Sequence, residues 1–285
     1  MSKIKLIEEK LFRVLMFLAT CLIAFALCLI IFSILYKGIP SISWEMLTQT
    51  PKGGFYFGKE GGILNAIIGS LYLSIGATFL AFIIGLPVAL YMNVFLIKHK
   101  KLINIIRFFL DLLWGVPSIV YGAFGFTLMI FFGIKTSLLA GIIVVTLFII
   151  PIMVRAIDEV LKTVPVGLLE SSLSLGSTKS ETAYRVFFKQ CIPGIITAVL
   201  LSFGRAIGDA ASVLFTTGYT DHIPTSLSQP TATLPLSIFF QLTSPIPEVQ
   251  NRAYASAVVL TVIILIISIL SRIFSKKFQK NQINF

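Results

Sequence analysis

Arg205 and Asp209 are ionisable residues in an otherwise apolar stretch, GRAIGDAASVLFT, residues 204–216. Arg205 lies twelve residues beyond Pro193, about 18 Å along a helix, which is midplane depth if the segment starting there crosses a bilayer. Asp209 follows four residues later, so a continuous helix puts both side chains on one face, one turn apart. Gly204 and Gly208 would let another backbone come close. An arginine at that depth costs about 2.5–3.5 kcal/mol on insertion scales and calls for a partner or a wet pathway. Its planar fork of donors suits an oxyanion; a salt bridge that only packs helices is the alternative. Arg155 and Glu159 bracket the end of another apolar segment and are candidates for the same pathway, although snorkelling accounts for Arg155 equally well. Arg107 and Asp111, also four apart, read as an interfacial pair.

The elements that must position these residues follow from composition. The chain has 285 residues, 56% of them hydrophobic and only 12% charged, with a mean hydropathy of +0.96. A soluble domain of this size carries about twice that charge, so the chain is a polytopic membrane protein. Its net charge of +11 sits beside apolar spans and does not mark a nucleic-acid partner. Six spans are expected: Val14–Tyr36, Ile63–Met92 with a kink near Pro87, Asn104–Phe132, Thr136–Val154, Gln190–Phe215 and Ala253–Ile273. Residues 37–62 and 216–252 read as outer loops.

Basic residues orient the chain. Four precede the first span, four lie in 98–107, five in 155–189 and four after 271, seventeen in all. The other side has Lys37, Lys52, Lys59, Lys135 and Arg252. The bias expects both termini and the 155–189 segment in the cytosol.

That segment has more local order than a loop needs. Leu168, Leu169, Leu173 and Leu175 are expected along one side of a short helix. Gly176 stands where a helix C-cap needs positive φ. Thr178 and Glu181 form a capping box that starts a second helix, running through Tyr184, Phe187 and Phe188 to Pro193. Helix, glycine corner, helix is a docking shape; a helix lying on the headgroups is the alternative.

Several chemistries are missing from the sequence. There is no G-x-x-x-x-G-K-[ST] phosphate loop and no H-E-x-x-H motif, so neither ATP nor zinc is bound by those routes. Cys21, Cys28 and Cys191 show no metal or redox spacing. His99 and His222 read as surface residues, and no carboxylate pair is placed for acid–base work, so no enzyme is expected.

The motifs carry a family resemblance. Glu170-Ser171-Ser172, followed by Gly176, resembles the EAA loop of ABC importer permeases, with two serines for two alanines. GVPSIVYG at 115–122, beginning Gly115-Val116-Pro117-Ser118, resembles a segment of phosphate permeases. RAIGDAASVLFT at 205–216 is similar to RAxGETAPLLFT of the PstA-type subunit, and LPLSIF at 234–239 to that subunit's outer loop. Asp209 stands for the usual glutamate, and Ser212 for a proline, which puts the local helix break in question.

The resemblance implies an all-α, six-helix membrane protein with the type I ABC importer permease fold. It divides the chain into residues 1–62, a permease core 63–273 and a tail 274–285. It also implies ATPase coupling through Glu170, Ser171, Ser172 and Gly176, and a pathway for inorganic phosphate at Arg205, Asp209, Arg155 and Glu159. Sulfate, molybdate and phosphonate are the alternative oxyanions, and a secondary transporter the alternative class. The implied partners are a PstC-type permease, a PstB-type ATPase dimer that holds ATP and magnesium, and a PstS-type binding protein. No cofactor is expected in this chain, and the expected location is a bacterial cell membrane.

Overall fold

A computed structural model describes residues 3–52 and 60–279. Among the described residues, regular structure is helical apart from one short antiparallel pairing of β1 (Pro51–Lys52) with β2 (Glu60–Gly61). Helix α1 (Lys3–Gly38) is followed by a single 3₁₀ turn and the short α2 (Trp44–Thr48). Then come α3 (Leu64–Leu90), α4 (Lys100–Gly115), α5 (Ser118–Phe132) and α6 (Leu138–Leu161). Helices α7 (Val166–Ser174) and α8 (Lys179–Glu181) lead through a π-helical turn, Thr182–Phe187, into α9 (Phe188–Ile207). Helices α10 (Leu234–Leu242) and α11 (Pro247–Gln279) complete the chain.

Five helical stretches among the described residues are long and apolar enough to cross a membrane, and the α4–α5 pair makes a sixth if counted as one span. That pair corrects the expected straight span Asn104–Phe132: α4 and α5 meet at 91°. Pro117 has no N–H to continue the helix, and it holds Val116 extended at φ −70°, ψ 129°. The Tyr121 hydroxyl donates to the Leu113 carbonyl at 3.0 Å, across the bend. Beyond it, α5 is only 15 residues long, about 22 Å.

Helices α3, α6 and α9 form the core. Ser70, Ser74, Ala77 and Ala81 line α3 with small buried side chains, which lets helices approach closely where apolar burial gives little drive. Val145, Ile149, Met153 and Ile157 of α6 fill the space opposite. Pro87 and Pro151 both lie within helices. Helix α1 stands outside this core. It meets α11 near Gly38, where a Cβ would lie 2.6 Å from the Tyr254 carbonyl.

The largest departure from expectation lies between α9 and α11. The fifth span was expected to reach Phe215, yet α9 ends at Ile207. Residues 209–233 are irregular and only partly solvated: Ser212, Val213, Thr216, Thr217, Thr231 and Ala232 are fully buried, while residues 225–229 are exposed. This segment feeds carbonyls to the start of α6. Leu138 N–H donates to Gln229 O at 2.8 Å, Leu139 N–H to Leu227 O at 2.8 Å, and Ala140 N–H to the Ser137 hydroxyl at 3.3 Å. The orphan N–H groups of a helix start are thereby paired inside the protein. The Ser70 hydroxyl in turn accepts from Leu234 N–H at 2.7 Å.

Gly69 is where this segment presses on α3: a Cβ there would run into the Ala232 carbonyl. Gly69→Ala should therefore lower stability by about 1–3 kcal/mol, the usual cost of overpacking. At Gly76 a Cβ meets only the flexible end of Ile142 at 2.8 Å, so Gly76→Ala should cost clearly less. Thermal unfolding of the two detergent-purified variants checks the contrast.

Candidate translocation and coupling sites

At the basic end of the bundle, α7 and the start of α8 form the expected helix–glycine–helix corner. Gly176 has φ +83°. Its N–H donates to Leu173 O at 3.0 Å, and Ser177 N–H to Ser172 O at 3.2 Å, so the last carbonyls of α7 are paired across a left-handed cap. The capping box is complete: Glu181 N–H donates to the Thr178 hydroxyl at 3.2 Å, and Thr178 N–H to the Glu181 carboxylate at 3.0 Å. The four leucines do not share one side, contrary to expectation. Leu169 is buried and Leu168 half-buried, while Leu173 and Leu175 are exposed. Inward leucines hold the corner on the bundle, whereas Leu173 and Leu175, like Val166 and Tyr184, are exposed. Glu170 and Ser171 point outward as well. Ser172 is buried, its hydroxyl 2.9 Å from that of Thr182. Tyr184 and Phe187 lie on a π-helical turn rather than an α-helix.

Arg205 occupies the last turn of α9, where a cation complements the helix dipole. It does not pair with Asp209. The helix stops two residues before Asp209, so the two do not share a helix face, and among the described residues no carboxylate lies within ion-pair distance of Arg205. Its guanidinium sits 5.2 Å over the Phe148 ring of α6, a cation–π contact, and its side chain is otherwise exposed. Gly204 likewise faces open space rather than another backbone.

The Asp209 carboxylate instead accepts from Ser212 N–H at 2.9 Å and caps the turn that follows α9. The helix break is therefore present without a proline at 212, and the bond that orders it uses an N–H that proline lacks. Gly122 packs on this turn, since a Cβ there would lie 2.8 Å from the Ala211 and Ser212 carbonyls. The motif beginning at Gly115 and the motif beginning at Arg205 are thus in contact, although ninety residues separate them. Gly115, Val116, Pro117 and Ser118 themselves form the 91° bend.

Arg155 and Glu159 belong to a different cluster, centred on Asp158. This fully buried carboxylate accepts from Arg107 Nε and Nη2, both at 2.9 Å. It also accepts from Asn93 Nδ2 at 2.8 Å and Arg155 Nη1 at 2.8 Å. Arg155 Nε reaches Asp111 at 2.6 Å, and Arg155 Nη1 lies 3.1 Å from Glu159. Lys162 bridges Glu159 at 2.7 Å and Asp158 at 3.4 Å. The expected Arg107–Asp111 pair is replaced by two bridges from α4 to α6. Arg155 is held by three carboxylates and is no free pathway cation. Asp158 and Asn93 escaped the sequence reading. The available signal was the run Arg155, Asp158, Glu159, Lys162, whose three- and four-residue spacings put all four on one helix face.

The chain matches the model of the binding-protein-dependent transport system inner membrane components over residues 81–280. It is 33% identical to the phosphate transport system permease protein PstA of Pasteurella multocida, covering 94% of each chain. It is 35% identical to the PstA of Yersinia pestis over 89% of this chain and 85% of the relative. The chain belongs to the binding-protein-dependent inner membrane transport components and, among them, to the PstA permeases. It is accordingly a multi-pass membrane subunit of an ABC transport system, not an enzyme, and the ATPase is a separate subunit. The fold agrees. The bacterial alginate ABC transporter gives a TM-score of 0.65 at 15% identity, over 98% of this chain and 99% of that one. The inward-facing MetNI methionine ABC transporter gives 0.62 at 19% identity, over 75% and 95%.

Asp158 should be the most sensitive polar position of this permease. Asp158→Ala leaves Arg107 and Arg155 without their shared buried partner and should cost about 3–5 kcal/mol. Glu159→Gln touches an exposed bridge and should cost less than about 1 kcal/mol. Folded yield and thermal unfolding of the two variants are the measurements.

Proposed function

We propose that this PstA permease forms half of the pathway of an ATP-driven inorganic phosphate importer, with a PstC-type permease as the other half. A PstB-type ATPase pair and a PstS-type binding protein complete the complex, which lies in a bacterial cell membrane with both chain termini in the cytosol. The observation that carries the reading is Arg205. It is charged, exposed on this chain at the end of a core helix, and anchored by an aromatic ring rather than a carboxylate. A guanidinium left without a carboxylate can offer its planar donors to a passing oxyanion. The names of the relatives supply phosphate as that oxyanion.

Asp209 acts indirectly in this scheme by fixing the turn after Arg205. Arg155 and Glu159 contribute to the pathway only by holding the basic end together. Coupling runs through α7, whose exposed Val166, Glu170, Ser171 and Leu173, with Leu175 just beyond the helix, suit a complementary cleft on an ATPase. Since α8 is continuous with α9, a push on that corner travels along one rod to Arg205. Movement of the rods around a central site is alternating access.

Radiolabelled phosphate uptake in cells without other phosphate importers tests the pathway, with membrane levels of each variant matched. Arg205→Gln should lower uptake about tenfold or more, the worth of a charged hydrogen bond. Arg205→Lys should also be impaired, because an ammonium lacks the planar fork. Asp209→Asn keeps a carbonyl for Ser212 N–H and should stay near the parent. Near-normal uptake by Arg205→Gln would remove the pathway role. Orientation has its own test: in a cysteine-free version, a cysteine at Ser180 should react with an impermeant thiol reagent only from the cytosol, and one at Ser228 only from outside.

A further inference from the structure

Helix α4 carries a polar stripe with only half of its members engaged. Lys100, Asn104, Arg107 and Asp111 recur at spacings of four, three and four, which puts them on one face. Arg107 and Asp111 are bound to Asp158 and Arg155 of α6. The Lys100 and Asn104 side chains make no hydrogen bond or ion pair with the described residues. Instead they line a cavity of about 260 Å³ between α4 and the π-helical turn that ends α3. Arg107 and Asn93 also face it, over an apolar floor that includes Met92 and Ile103.

No carboxylate lines this cavity; Asp158 stands behind Arg107 and is paired with it. Lys98 and Lys101 flank Lys100 in the chain, so the region carries an excess of positive charge. His99 makes no side-chain cap at the start of α4, which leaves first-turn N–H groups at the same end, a favourable place for an anion. Another face of α4 is apolar and exposed: Leu102, Ile105, Phe108, Phe109 and Leu112. A helix with such a face and a basic polar edge lies at the boundary of headgroups and hydrocarbon. A cavity on that edge suits headgroup depth.

We propose that this cavity binds a phosphate-bearing anion, with the headgroup of an anionic phospholipid as its main occupant. Basic pockets between membrane helices bind such headgroups through the same chemistry. Lys100 supplies the charge, Asn104 and the remaining Arg107 N–H supply hydrogen bonds, and the acyl chains run along the apolar face of α4. A bound headgroup would also press α4 onto α6 beside Asp158, so occupancy stabilises the basic end.

The test uses the full-length chain, purified with the subunits that accompany it, in phosphatidylcholine nanodiscs. Phosphatidylglycerol is titrated in one arm and inorganic phosphate in the other, and the melting temperature is followed. Phosphatidylglycerol should raise it. Lys100→Gln should shift the half-maximal fraction about fivefold upward, as expected for one basic side chain at an anionic surface. Asn104→Leu should shift it in the same direction, whereas Lys135→Gln, at the opposite end, should leave it unchanged. A Lys100-dependent response to inorganic phosphate alone would support the site and assign it to free phosphate. Both cavity variants titrating like the parent in both arms would overturn the proposal.

Discussion

Hydrocarbon offers no hydrogen bonds, so every backbone N–H and C=O at membrane depth needs a partner within the protein. This requirement governs the places where the chain stops being helical. Between α9 and α10 the irregular segment is buried at both ends and exposed at 225–229, and its carbonyls at Leu227 and Gln229 satisfy the start of α6. The side chains of Ser70 and Asn65 reach from α3 to Leu234 N–H and Thr220 O. A non-helical segment leaves backbone groups outside the helix ladder, and transporters use such breaks to build solute sites. The cost is that neighbouring helices must be shaped around it, as Gly69 and Gly122 are.

A second constraint acts at the basic end. A buried carboxylate such as Asp158 is tolerated only with full compensation, and here it receives two arginines and an asparagine. Those donors come from the turn after α3, from α4 and from α6 itself. One ionic centre thereby fixes the bent helix α4, whose exposed apolar side has little else to pack on among the described residues. Helix α7 follows α6 within a few residues, so the corner that would meet an ATPase is built on a braced end.

Arg205 illustrates a choice between stability and availability. A carboxylate on the same helix face would have neutralised it and occupied its donors. Helix α9 ends first, Asp209 is occupied with Ser212, and the arginine is steadied by the Phe148 ring. Cation–π contact holds a guanidinium in place without using its donors, whereas a salt bridge occupies them.

Much of this was legible in one dimension. Apolar run lengths and basic bias specify a multi-pass helical membrane protein, because both respond to the bilayer rather than to tertiary contacts. The Gly176 cap and the Thr178–Glu181 box were also readable, since their hydrogen bonds close within six residues. What the sequence could not decide was the end of α9, the 91° turn at Pro117 and the choice of ionic partners. Arg107 prefers Asp158 to its helical neighbour Asp111, and Asp209 prefers Ser212 N–H to Arg205. Helical spacing nominates local partners, but a buried acid draws donors from any element that can reach it, and only packing determines which ones do.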